Sequence, residues 1–298
     1  MRLFSSAAWT VIVPHPNISA YASCVAFSTP FPEDYKRMSE QYAGGALLLD
    51  IDGCIARLVF NRPDKRNAVN QAMWQELPRV TARIDADSAI SVLVVTGAGG
   101  HFAAGADISE FEANFSTSDA AEKNQSQLQH GIEALAAMRK PVVAAIEGAC
   151  IGGGVALALA CDIRVGSAAA RFAVTPARLG LVYPSSDTTR LVAAIGPGQA
   201  ARLLFTGRIV DGTEAMRIGL IDQLAGPGEA LATALDEATS IAAASQYSVR
   251  ATKAIIAATL GGATVDEAAL ARDAVAGEDF QEGRRAFLEK RTPRFTFR

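Results

Sequence analysis

Histidine is scarce in this chain: the three residues His15, His101 and His130 are too scattered in 298 to form a metal site by local spacing. Cysteine is scarce too. Cys24, Cys54, Cys150 and Cys161 include no CxxC pair and two of them lie in apolar surroundings, the pattern of a reduced cytoplasmic protein and not of a disulfide scaffold. No apolar run reaches the roughly 18 residues of a membrane span. No basic block of the kind that grips nucleic acid interrupts a net charge of −3. A Walker loop, a GxSxG elbow and an HExxH helix are all missing. What is present is a chain 50% hydrophobic and 20% charged, enough to bury a core in one large domain or one domain with a small appendage.

Residues 1–43 carry little information. Their apolar patch, Ala7 to Val13, is broken by Pro14 and Pro16, too short for the core of a secretory signal. They read as a flexible extension or as sequence upstream of the natural start, with Met38 a plausible first residue. Next, Ala46 to Asp50 and Ile55 to Phe60 flank Asp52-Gly53, a hairpin signal. A polar, basic loop from Asn61 leads to Asn70, a candidate cap for a helix over 71–86, in which Pro78 predicts a kink or a later start. Ser91 to Thr96 reads as a strand, and the apolar loop His101 to Ile108 as buried backbone in close contact with its surroundings. Asp119 to Met138 is helical. After short strands at 162–165 and 171–173 comes a long loop, Thr175 to Pro184, followed by helices at 186–195, 198–205, 212–218, 229–244, 247–259 and 265–289.

The most informative stretch is Ile146-Glu147-Gly148-Ala149-Cys150-Ile151-Gly152-Gly153-Gly154, followed by the small apolar run Val155 to Cys161. It reads as a buried strand (Pro141 to Ile146) entering a tight glycine turn that opens a buried helix. Helix-start amides have no partner within the helix, and the dipole favours an anion there. Two readings stay open: a cradle for a developing oxyanion, or glycines serving close helix–strand packing.

In this order and spacing the motifs resemble the crotonase (enoyl-CoA hydratase/isomerase) superfamily from Ala46 to Phe297. The residues that carry the resemblance are Asn61-Arg62-Pro63-Asp64-Lys65-Arg66-Asn67-Ala68, Phe102 to Ile108, Gly148 to Gly154, Phe205-Thr206-Gly207, Ala215 to Leu220 and Glu282 to Arg291. The resemblance implies an α/β fold, a spiral of ββα units over 44–205, with a helical trimerisation region at 206–298 and a homotrimer or dimer of trimers as the assembly. It implies an acyl-CoA thioester as ligand, its oxygen bound by the amides of Ala106 and Gly153, and no metal or redox cofactor. Lys65, Arg66 and the Ala68 backbone match positions that hold CoA, or are simply solvated loop groups. Ala104, Gly105, Asp107 and Gly152 border the same loops; Asp107 fixes its loop or takes part in the chemistry. Phe287 and Lys290 match a tail that reaches CoA in relatives, sometimes on a neighbouring subunit, or form an ordinary charged helix end.

The sequence departs from the family where hydratases place two Glu residues, one base and one acid. Those positions are Ala156 and Pro176, and neither can transfer a proton. Thr175-Pro176, Leu179-Gly180 and Tyr183 resemble the methylmalonyl-CoA decarboxylase branch, in which a Tyr here faces a substrate carboxylate, although that branch carries a His where this chain has Ala106. Asp187 is the other polar candidate, as an alternative base or as the cap of the following helix. Arg190 and Glu147 read as structural and His101 as exposed. The implied function is enolate stabilisation on an acyl-CoA, with decarboxylation or catalytically silent acyl-CoA binding as alternatives.

Overall fold

The computed structural model describes residues 39–296, so the N-terminal 38 residues assigned to the extension lie outside the described part. Glu40–Tyr42 (β1), placed in that extension from sequence, instead pairs antiparallel with Leu47–Asp52 (β2) at the sheet edge. The hairpin continues into Ile55–Phe60 (β3). Val92–Gly97 (β4), Val142–Ile146 (β5), Ile163–Ser167 (β7) and Gln223–Ala225 (β10) then add in parallel, completing a seven-stranded sheet in the order β1-β2-β3-β4-β5-β7-β10. A smaller sheet holds Ala149–Ile151 (β6), Arg171–Ala173 (β8) and Val210–Asp211 (β9).

The sheet is covered on both faces, which is why β4 opens on Val92-Leu93-Val94-Val95 and β5 is Val142-Val143-Ala144-Ala145-Ile146, continuous apolar runs without alternation. Alternate residues serve opposite layers: Val92 and Val94 pack with Ala230–Ala243 (α6), while Leu93 and Val95 join the main core. Small residues on α6 (Ala230, Ala234, Ala238, Ala242) form its buried face and allow a close approach to the sheet. The main core lies under Gln71–Ala86 (α1), Ser118–Ala136 (α2), Gly153–Leu159 (α3) and Ser185–Thr206 (α4). Gly212–Ile218 (α5), Gln246–Gly261 (α7), Glu267–Ala276 (α8) and Glu278–Leu288 (α9) complete the chain.

Three local expectations change. Helix α1 runs unbroken through Pro78 instead of starting after it. Proline leaves the Trp74 carbonyl without its helical donor, and Gly131 of α2 packs onto that carbonyl so closely that a Cβ there would lie 3.0 Å from it. The two helices read near 186–195 and 198–205 are one element, α4, bent at Gly196, whose φ of +73° is non-helical. Conversely, the single helix read over 265–289 is two, α8 and α9, divided at Gly277. Among the described residues no helix is long and apolar enough to cross a membrane.

The Asn70 side chain accepts from the Met73 amide at 3.0 Å, capping α1 as expected. Asn70→Ala is expected to destabilise the protein by about 1 kcal/mol, read as a lower urea midpoint at unchanged slope.

Candidate active site

Short main-chain ladders join three segments far apart in sequence. Val69 donates to the Gly105 carbonyl (2.8 Å) and Asp107 to that of Val69 (3.0 Å), while Ala104 donates to Arg66 (3.0 Å). On the other side Ala103 donates to Ala149 (2.9 Å), Ile151 to Ala103 (3.0 Å) and Gly152 to Ala173 (2.8 Å). These bonds engage the amides of Ala104, Asp107, Ile151 and Gly152, whereas those of Ala106 and Gly153 donate to no group among the described residues. The two lie side by side: a Cβ on Gly153 would be 3.7 Å from the Ala106 nitrogen, and one on Gly105 would be 3.6 Å from the Gly153 nitrogen. The Trp74 ring closes one side, 3.6 Å from that same Gly153 Cβ position.

The glycine stretch is more than one tight turn. It holds the short strand β6 between Gly148 and Gly152, and its glycines divide the work. Gly152 sits at φ +54°, ψ −110°, turning the chain from strand to helix in a conformation that L side chains rarely adopt. Gly153 is the first residue of α3, with its amide at the helix N-terminus. Gly154 is there for packing, since a Cβ would meet the Ala103 carbonyl at 2.2 Å. The two readings of the sequence therefore apply to different residues of the same motif.

The loop before α1 is held by two residues to which the sequence reading gave no role. Asn67, fully buried at φ +57°, donates to the carbonyls of Ala98 (2.8 Å) and His101 (2.6 Å) and accepts from the Arg62 amide (2.9 Å). Asn tolerates this left-handed geometry better than most residues, which is the signal that could have singled it out. Arg62 bridges the loops, donating to the Ala68 carbonyl at 2.6 Å and pairing with Asp107 at 2.7 Å. Asp107 also accepts from the Ser109 amide (3.0 Å) and hydroxyl (2.6 Å). Burial alone would raise its pKa, but Ser109 and Arg62 hold the carboxyl down at about 2, a loop-fixing role. Lys65 and Arg66 are exposed beside this loop, and the Ala68 amide is taken up by the Lys65 carbonyl at 3.0 Å.

Ala156 is buried and Pro176 half-buried, so no carboxylate stands at either position. Asp187 is not a cap: Pro184 holds the cap position of α4, and Asp187 lies within the first turn, completely buried. It accepts from Gln129 Nε2 (3.3 Å) and from Arg190 (3.2 Å), which pairs more tightly with Glu133 (2.6 Å). Burial, with Glu133 adding to it and Arg190 opposing, pushes the Asp187 carboxyl up to about 6. The Tyr183 hydroxyl is enclosed and has no hydrogen-bond partner among the described residues; burial foremost, then Asp187, drives its pKa well above the usual value. His101 is half-buried and not exposed, its Nδ1 accepting from the Ala149 amide at 3.1 Å. Glu147 accepts from the Ala230 amide at 3.0 Å, at the start of α6. Phe287 and Lys290 are exposed at the end of α9, which packs on α8. Among the described residues no cluster of three or more His, Cys, Asp or Glu side chains could hold a metal ion.

The family model for enoyl-CoA hydratase/isomerase matches residues 50–298. The chain is 36% identical over 256 residues to the crotonyl-CoA hydratase of Syntrophomonas wolfei, covering 84% of this chain and 97% of that protein. It is 34% identical over 249 residues to the mevalonyl-coenzyme A hydratase of Aspergillus fumigatus, covering 81% and 91%. The solved structure of an enoyl-CoA hydratase/isomerase family protein from Hyphomonas neptunium matches with a TM-score of 0.83 at 47% identity, over 87% of this chain and all (100%) of that one.

Asn67→Ala leaves three main-chain groups without their partner and is expected to cost about 3 kcal/mol, measured by chemical denaturation. Asp107 has a folded pKa below its ordinary value, so its stabilisation is present above about pH 4 and lost as the pH falls towards 2. The melting-temperature deficit of Asp107→Asn is therefore expected to be full at neutral pH and to vanish over that acid range.

Proposed function

The chain belongs to the enoyl-CoA hydratase/isomerase family, and from that premise we propose that it stabilises the enolate of an acyl-CoA thioester between the amides of Ala106 and Gly153. The observation that carries this reading is the adjacent, unspent pair of amides, one of them at a helix N-terminus. Donors already in place receive the charge that moves onto the thioester oxygen without reorganising. Lys65 and Arg66, exposed beside the loop, supply cations for the phosphates of CoA, and the backbone of Ala68, Ala104, Gly105 and Gly152 borders the pantetheine and thioester. Tyr183, with its enclosed and unpartnered hydroxyl, orients the acyl part.

The assembly proposed is a trimer or a dimer of trimers. Apolar side chains stand exposed along the C-terminal helices, among them Ile256, Leu260, Val275, Phe280, Phe287 and Leu288, and a subunit interface would cover them. Phe287 and Lys290 would meet CoA on a neighbouring subunit.

Position 153 allows a clean test. A Cβ there makes only ordinary contacts, the nearest at 3.6 Å, and the first position of a helix accepts proline. Gly153→Ala is expected to keep α-proton exchange of a bound acyl-CoA in D₂O within a few-fold of wild type. Gly153→Pro, which deletes the N–H, should lower it about 10²- to 10³-fold. Equal rates in the two variants, read by mass spectrometry, would remove the amide from the chemistry.

A further inference from the structure

We propose that Asp187 is the general base of this site, acting on a water held between its carboxylate and the Tyr183 hydroxyl, so that a 2-enoyl-CoA is hydrated without the usual pair of Glu residues. The proposal rests on the acyl-CoA reading above and adds the group that moves the proton.

Asp187 differs from the buried acids Asp107 and Glu282. Asp107 is taken up by Arg62 and Ser109, and Glu282 by Arg285 and Arg291. Asp187 has only long bonds, 3.2 Å to Arg190 and 3.3 Å to Gln129, because Arg190 is engaged by Glu133 at 2.6 Å. The carboxylate is therefore fully buried and incompletely neutralised. It sits on α4, which packs against α3, the helix whose first amide is that of Gly153. One helical turn earlier in the chain stands Tyr183, whose electrostatic neighbours are Asp187, Cys150 and Arg190. Cys150 belongs to β6, the strand that runs into Gly152 and Gly153.

The phenol donates and the carboxylate accepts, yet they are not bonded to each other. An oxygen lying between them would satisfy both, as a buried polar group requires. The charged and titratable groups facing Asp187 are Glu133 from α2, Arg190 from its own helix and Tyr183 from the preceding loop. The buried face of α3, Val155 to Leu159, is apolar. A carboxyl raised to about 6 there is matched to proton transfer near neutral pH, while the phenol stays protonated as a donor. The same charges bear on the substrate. With Glu133 balancing Arg190, an ionised Asp187 leaves one uncompensated negative charge, so a second carboxylate on the acyl chain would be repelled. A neutral enoyl chain fits, and a malonyl-type one does not.

In the step, the Asp187 carboxylate takes a proton from the water as the water oxygen bonds to Cβ. The double-bond electron pair moves through Cα onto the thioester oxygen, where the two amides receive it. The enolate then collapses, Cα takes the proton back from Asp187, and the 3-hydroxyacyl-CoA leaves with the carboxylate restored.

The folded-state pKa of Asp187 lies above its ordinary value, so the group favours the folded chain below about pH 4 and that advantage is lost as pH rises through about 6. Asp187→Asn should therefore fold and melt no lower than wild type at pH 7. The test uses the full-length protein with crotonyl-CoA and with methylmalonyl-CoA, read by mass spectrometry, and calorimetric binding of crotonyl-CoA. Wild type is expected to hydrate crotonyl-CoA with a rate that rises through about pH 6. Asp187→Asn should lose about 10²- to 10⁴-fold in rate and lose that limb, with crotonyl-CoA affinity unchanged, while Asp187→Glu should recover part of the rate. Tyr183→Phe removes a hydroxyl with no partner, so it should keep the fold and slow hydration at least about tenfold. Hydration at the wild-type rate by Asp187→Asn, a limb that survives the substitution, or loss of CO₂ from methylmalonyl-CoA without hydration of crotonyl-CoA would overturn the proposal and leave the acyl-CoA reading standing. Failure of wild type to bind any acyl-CoA would overturn that reading itself.

Discussion

Among the described residues the amides of Ala106 and Gly153 donate to no group, while beside them Asp107 donates to Val69 and Gly152 to Ala173. Three segments converge there: the loop ending at Val69, the loop around Ala103 to Asp107, and β6 with the residues that follow it. Parallel bridges pair Val69 with Ala106 and Ala103 with Cys150, so each loop takes its register from the next. Moving any one segment would spend or misplace an amide. Asn67 and Arg62 hold the outer loop in place with side chains where the ladders end. Buried polar groups must be paired, and the neighbouring amides of Ala104, Asp107, Ile151 and Gly152 are.

The neighbourhood of α4 follows a different rule. Most of the core is apolar. Asp187 and Tyr183 break that pattern: one is a carboxylate with only long bonds, the other a hydroxyl with none. A protein retains such groups at a cost in stability, and departures of this kind concentrate where chemistry is done. Asp187 lies on α4, which packs on the helix that starts with Gly153. In the proposed reading the two parts are separable, because a pair of amides would hold charge whichever residue moved the proton.

The sequence by itself determined the long elements and the order of the loops. The Asp52-Gly53 hairpin, the Val-rich β4, the capped α1 and the glycine motif each carry a strong local signal of turn chemistry, periodicity or composition. They sufficed to name the family and to single out Ala106 and Gly153 as candidates. Of the short elements β8 was read from the sequence, whereas β6, β9 and β10, of two or three residues each, were not: too few for a period of two to register, they are held by their partners. Nor did the chain advertise that Pro78 would be carried through a helix, since the packing of Gly131 against the Trp74 carbonyl involves a residue more than fifty positions later.

Tertiary structure alone decided what the polar residues do. From sequence, Asp187 read more readily as a helix cap than as a base, His101 was an exposed side chain, and Asn67 one polar letter in a basic loop. Packing fixed each of them, through burial and through the nearest donor or acceptor, which for Asp187 are Gln129 and Arg190 and for Asn67 are Ala98 and His101. Propensity and periodicity are local energies and can be read along the chain. Desolvation and pairing depend on which distant residues come to surround a group, so they exist only once the chain has folded.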